Sequence, residues 1–127
     1  MSTGSPLNIV HVYNMLDPAN GGPPHVIRGL AAGQQALGHR VRLISTDAAD
    51  NKAVDDFMGS CLDPVERIVI NPSFFVPILT RRVLIETLRD ADVVHLHGIW
   101  PLITLLAAKI CRELRVPYVL APHGSLH

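Results

Sequence analysis

Ala91-Asp92-Val93-Val94-His95-Leu96-His97-Gly98, residues 91–98, is the stretch whose reading decides the fold. Its apolar positions are nearly continuous, interrupted by two histidines and closed by a glycine. A strand with one wet face alternates apolar and polar residues. A near-continuous apolar run is instead a strand covered on both faces, the habit of parallel sheets. Residues 91–97 are therefore read as a buried strand. Asn8-Ile9-Val10-His11-Val12-Tyr13 and Arg40-Val41-Arg42-Leu43-Ile44-Ser45 read the same way, and residues 67–70 and 116–121 supply a third and a fifth strand in chain order.

Helical patterns fill the spaces between these strands. Pro23 and Pro24 suit a first helical turn, where a missing N–H costs nothing. Val26, Ile27, Leu30, Ala31 and Leu37 then recur at helical spacing, and Gly38 stands where a left-handed C-terminal cap belongs. A short helix is expected within residues 47–60, another over residues 79–89, and a fourth from Pro101 to about Arg115. Residues 71–77 read as a loop. Lys109, Arg112 and Arg115 cluster toward the end of the fourth helix, the side that favours cations. Gly29 and Gly33, four apart on one helical face, predict close helix–sheet packing, which would offset the roughly 1 kcal/mol that a helical glycine costs. Strand and helix in alternation imply an α/β, Rossmann-like, mostly parallel sheet with helices on both faces.

Composition narrows the function. The 127 residues carry 11 Lys+Arg against 11 Asp+Glu, so no basic field is available to hold a nucleic acid. Cys61 and Cys111 have no metal or redox spacing and read as free thiols of a reducing cytoplasm. The N-terminus, MSTGSPLN, lacks a signal-peptide pattern, and the apolar run at residues 99–108 is far short of the ~20 residues that cross a bilayer.

Ligands of open α/β sheets bind beyond the C-terminal ends of the strands. Three such ends carry polar groups: Asn14 with the Asn20-Gly21-Gly22 loop, His97-Gly98, and His123-Gly124-Ser125. They follow the first, fourth and fifth strands, which are neighbours in a doubly wound order. The paired glycines let a backbone approach a ligand, and the helix start behind them offers N–H groups to an anion. A flexible turn before a helix is the plain alternative. A dinucleotide fingerprint is absent, because the glycines come late after the strand and a third is missing. Asp47, at the position of a ribose-binding acid, is accordingly read as a cap or turn residue.

His123 ends a strand beside Pro122 and Gly124, placed to donate a hydrogen bond to a sugar hydroxyl or a developing oxyanion. His95 and His97 share a face and with His123 would make a three-histidine metal set. No carboxylate or cysteine stands nearby in sequence, so the preferred reading is metal-free: His95 packs in the core and His97 begins the cleft. Trp100 either stacks on a ligand or staples the helix behind it. Phe74-Phe75-Val76-Pro77-Ile78-Leu79 with Arg81-Arg82 is either a covered loop or a contact for a membrane surface or lipid-linked substrate.

Four stretches taken together resemble the N-terminal domain of retaining family-4 glycosyltransferases with the GT-B fold. They are Gly21-Gly22 with its helix, Leu37-Gly38-His39-Arg40-Val41, Asp92-Val93-Val94-His95-Leu96-His97-Gly98 with Trp100, and Pro117-Tyr118-Val119-Leu120-Ala121-Pro122-His123-Gly124-Ser125-Leu126. The resemblance implies transfer of a sugar from a nucleotide diphosphate sugar to a glycan or lipid-linked acceptor. By it, Gly21 and Gly22 would face the donor diphosphate, and His123, the catalytic candidate, would contact the transferring sugar or help orient the acceptor. Asn14, His97, Trp100 and Ser125 would line the acceptor side. No cofactor and no metal are implied. The setting would be the cytoplasm, with possible peripheral contact at the inner face of the plasma membrane.

Residues 1–127 would form an incomplete acceptor-side domain, lacking the nucleotide-sugar domain with its paired glutamates, and inactive alone. Two other readings stand beside this one. A small non-enzymatic α/β module could use the same cleft for a phosphorylated ligand or a protein partner. A nicotinamide-dependent enzyme is disfavoured by the missing fingerprint.

Overall fold

The computed structural model describes residues 5–46, 51–59, 66–70, 77–98 and 102–122. Five parallel strands, β1 (Asn8–Val12), β2 (Arg40–Ser45), β3 (Glu66–Val69), β4 (Val93–His97) and β5 (Tyr118–Ala121), lie in the order β3-β2-β1-β4-β5. Helices α1 (Gly22–Ala36), α2 (Lys52–Met58), α3 (Pro77–Leu88) and α4 (Leu102–Leu114) connect them, and a 3-10 turn at Pro18–Asn20 precedes α1. The chain is the Rossmann-like α/β sheet that its apolar runs predict. β1, β4 and β5 are adjacent, as the doubly wound order requires.

The strands divide their residues between two cores. Val10, Val12, Ile44, Val94 and Leu96 pack with Leu84 and Leu88 of α3 and Ile103, Ala107 and Ile110 of α4. Val41 and Leu43 pack on the other face with Ile27 and Ala31 of α1 and Val54 and Met58 of α2. Alternation along β1 and β4 therefore turns His11, His95 and His97 toward the α1 face. Burial on both sides explains why the sequence shows no clean alternation.

Element ends follow local chemistry. Gly38 has φ +92° just past α1, in the left-handed position expected of it. β4 begins at Val93, two residues later than predicted. The Asp92 carboxylate accepts the Asn8 N–H at 2.7 Å, and the Asp92 N–H donates to the Asn8 carbonyl at 2.8 Å, fixing β1 against β4 at their start. α3 starts two residues early, at Pro77, where proline's missing donor is harmless. Gly29 and Gly33 correct the packing expectation: both are exposed on α1, and a Cβ on either would meet nothing within 4 Å.

Cys111 is buried, and burial pushes its thiol up to about 11, so it is an inert core side chain. Cys61 lies outside the described residues. No helix among the described residues is long and apolar enough to cross a membrane.

β5 is an edge strand with apolar side chains in solvent: Tyr118 is 37% exposed, Val119 52% and Leu120 47%. Beside it, Leu96, Leu105, Tyr118 and Leu120 line an apolar groove of about 410 Å³ against α4. An apolar edge with unpaired backbone groups invites pairing with another chain. The 127-residue chain is therefore expected to self-associate, and Val119→Lys to reduce that. Light scattering on the purified chain checks both, and a clean monomer at high concentration for the unsubstituted protein would refute the expectation.

Candidate functional site

The crevice lies where β1 and β4 part company, with crossovers leaving in opposite directions. The described parts of its rim are the loop after β1 and the residues that follow β4 and β5, Gly98 and Pro122. The first leaves β1 through Asn14, whose backbone carbonyl accepts the Thr46 N–H at 2.9 Å and so continues the β1–β2 ladder beyond the strands. The same carbonyl accepts the Thr46 hydroxyl. Asp17 then caps the 3-10 turn by accepting the Ala19 N–H at 2.9 Å. Its other oxygen takes a bond from the Asn51 amide at 3.4 Å, and Asn51 is itself the N-cap of α2. The β1 loop is thus tied to the loop beyond β2.

That loop ends at Gly21, with φ +100° and ψ −148°, a conformation essentially restricted to glycine. Gly22 follows as the first residue of α1. A helix start normally exposes four unpaired N–H groups. Here Pro23 and Pro24 occupy two of those positions and carry no N–H. The Gly21 N–H closes the 3-10 turn on the Pro18 carbonyl, which leaves the Gly22 N–H as the donor this helix start can offer. The anion cradle expected at this helix start is narrower than its length suggests and comes down to the Gly22 amide. Both glycines are exposed, and a Cβ on either would meet nothing within 4 Å.

Beneath the rim lies a cluster of imidazoles. His11 and His95 are register partners across β1 and β4. His97 is fully buried, its ring stacked on His95 with centroids 4.0 Å apart. His11 Nδ1 and His97 Nε2 are 2.9 Å apart, and His11 Nε2 stands 2.7 Å from Gln34 Oε1 of α1. An amide oxygen only accepts, so His11 carries its proton on Nε2 and accepts from His97 through Nδ1. Burial holds His11 down at about 4; the Gln34 bond opposes this and His95 adds to it. His11 is therefore neutral at pH 7.

This corrects one placement. His97 does not open the cleft; it is covered, and the residue at the strand's end is Gly98, whose φ is +82° and whose N–H donates to the Ala121 carbonyl at 2.7 Å. His95 is half-buried, packed against His97 and His11. His11 was not singled out in the sequence, where it reads as one polar residue inside an apolar run. The usable signal is the predicted adjacency of the first and fourth strands, each bearing a histidine just before its end. Trp100, His123, Ser125 and Asp47 lie outside the described residues, as do Phe74, Phe75 and Val76. Arg81 pairs with Glu113 and Arg82 with Glu86, so both members of the basic pair are engaged.

Comparison with known proteins adds to this geometry. A family model described as a glycosyl transferase 4-like domain matches residues 21–127. A solved glycosyltransferase from Rickettsia africae ESF-5 superposes with a TM-score of 0.64 at 20% identity, over 92% of this chain and 30% of that one. This chain thus spans about 30% of that enzyme's length. The C-terminal domain of a hydrogenase from Pyrococcus furiosus superposes with a TM-score of 0.52 at 17% identity, over 95% of this chain and 98% of that domain. No curated protein sequence matches.

The two glycines make opposite predictions for stability. Gly21→Ala forces a side chain into the glycine-only region and is expected to cost about 1–3 kcal/mol. Gly22→Ala places a methyl group in open space and is expected to stay within about 0.5 kcal/mol of the parent protein, the usual range for such surface changes. Urea denaturation of both variants checks this; equal losses would show that the loop conformation differs from the one described.

Proposed function

The chain belongs to the glycosyl transferase 4-like domain family, and on that footing we propose that it is the acceptor-side, N-terminal part of a sugar-transferring enzyme. The reaction moves a sugar from a nucleotide diphosphate sugar to a glycan or lipid-linked acceptor with retention, in the cytoplasm. The observation that carries this reading is the loop at Gly21-Gly22. It offers the Gly22 amide, excludes further donors through Pro23 and Pro24, and leaves the Cβ positions of both glycines in open space. An amide at a positive helix end suits an oxygen of a diphosphate. As the bond from the anomeric carbon to the diphosphate breaks, negative charge grows on the leaving oxygens. Donors already fixed in place stabilise that charge without reorganising.

The remaining roles follow the crevice. Asn14 stands on the β1 side of the rim, with its carbonyl committed to Thr46, so its side chain is the group left for an acceptor hydroxyl. Trp100 and Ser125 complete the acceptor side, and His123 serves the transferring sugar. His97 supports that side from beneath, through its contacts with His11 and His95. The nucleotide and the rest of the donor belong to a second domain. The hydrogenase domain of like fold shows why the sheet alone argues none of this: fold is shared across functions.

Amide-resolved NMR of the chain, titrated with pyrophosphate and then with a panel of nucleotide diphosphate sugars, tests the proposal. Gly21 and Gly22 amides are expected to shift together, weakly and saturably, and Gly22→Ala to abolish the response while leaving the remaining spectrum intact. A panel that leaves both glycines unmoved overturns the assignment. The chain alone is expected to turn over no nucleotide sugar, and measurable transfer by it would overturn the proposed division between two domains.

A further inference from the structure

The histidine cluster has more order than core packing requires. His11, His95 and His97 each offer a ring nitrogen, and the three atoms lie within 4.8 Å of one another. They come from two neighbouring strands in fixed register, on one face of the sheet. We propose that His11, His95 and His97 bind one divalent transition-metal ion of the imidazole-preferring kind, with zinc(II) as the representative, and that the ion clamps β1 to β4. Its role is structural and separate from sugar transfer.

The geometry suits such an ion. Nitrogens about 2.0–2.1 Å from a tetrahedral centre stand about 3.3–3.4 Å from each other. The present separations, from 2.9 Å between His11 and His97 to no more than 4.8 Å, bracket that value. The His95 and His97 rings are stacked, 15° from parallel, so binding requires one of them to turn out of the stack for their lone pairs to converge. The outer support is also in place. A metal-bound histidine commonly gives its second N–H to an oxygen, which fixes its tautomer and direction. His11 does this toward Gln34 Oε1 at 2.7 Å, leaving the Nδ1 lone pair aimed into the cluster. On binding, His97 gives up its hydrogen bond to His11, and its proton resides on Nδ1 so that Nε2 ligates.

Access comes from the β5 side. His95 and His97 pair across the sheet with Val119 and Ala121, which are exposed and half-buried respectively. A tetrahedral ion held by three imidazoles takes water or a small anion as its fourth ligand. Three neutral ligands with no carboxylate among them bind less tightly than a thiolate site, so roughly micromolar affinity is expected.

The test uses the chain without an affinity tag, stripped with chelator and titrated with cobalt(II), then with zinc(II) in competition. One equivalent is expected to bind, with the visible absorption of tetrahedral cobalt, and zinc(II) to raise the unfolding midpoint. His95→Gln is expected to weaken binding at least tenfold. Gln34→Leu keeps all three imidazoles but removes the oxygen behind His11, and a ten- to hundredfold loss is expected. His25→Gln, on the exposed start of α1, is expected to change nothing. Absence of saturable binding overturns the proposal, as does binding that survives both His95→Gln and Gln34→Leu, because the ion would then sit on surface imidazoles.

Discussion

β1 is held on both edges and both faces, and that confinement governs the rest of the molecule. It pairs residue for residue with β2 from Asn8↔Arg40 to Val12↔Ile44, and with β4 from Ile9↔Val93 to Val12↔Leu96. A slip of one residue would exchange its two faces, sending Val10 and Val12 out of one core and His11 into it. Such a slip would strand a polar ring among leucines and leave two valines against Gln34. The Asn8–Asp92 pair at the start of the strands and the Thr46–Asn14 bond beyond the end of β1 hold the register from opposite ends. Since connections after β1 and β4 depart in opposite directions, the crevice above them is a consequence of strand order, and any ligand it takes meets the loops at Gly21 and Gly98.

The cost of this arrangement is a buried polar cluster. Each imidazole taken from water loses hydrogen bonds that a core cannot replace by packing, and an unsatisfied buried group costs about 1–3 kcal/mol. The cluster answers by bonding internally and by engaging α1 through Gln34. That bond also orients the helix. Gln34 lies in the last turns of α1 and Gly22 at its start, so the amide at one end and Ile27 and Ala31 in the middle fix the line along which the helix meets the sheet. The Gly22 donor at the rim is aimed by contacts well away from it.

Much of this was legible in the residues. Apolar runs at residues 8–13, 40–45 and 91–97 gave strands within two residues of their bounds, because burial on both faces leaves little room for polar interruption. Gly38 was legible because a left-handed turn past a helix has few other solutions. Gly29 and Gly33 misled, since their spacing fits close packing and an exposed face equally, and only the position of α1 on the sheet separates the two. His97 misled for a related reason. Its place at a strand end suggested the cleft, but whether a side chain at that point surfaces depends on its neighbour across β1. His11 carried no local signal at all. Its meaning is relational, arising from register with His95, and register between distant strands is set by three-dimensional packing.

A fold shared across functions leaves the chemistry of this chain to its loops. The hydrogenase domain superposes over nearly its whole length, so sheet order and helix placement cannot encode sugar transfer. The discriminating chemistry has to reside where the sequence is free to vary without disturbing the cores, which means the loops above the strand ends. At Gly21 through Pro24 two residue types act in concert there. Glycines admit a ligand to the backbone, and prolines fix the helix start while deleting the donors behind it. A helix start with four open amides would attract any anion. Reducing them to the Gly22 amide, behind a Gly21 that no other residue can replace without strain, makes recognition depend on where the anion's oxygens lie as well as on its charge.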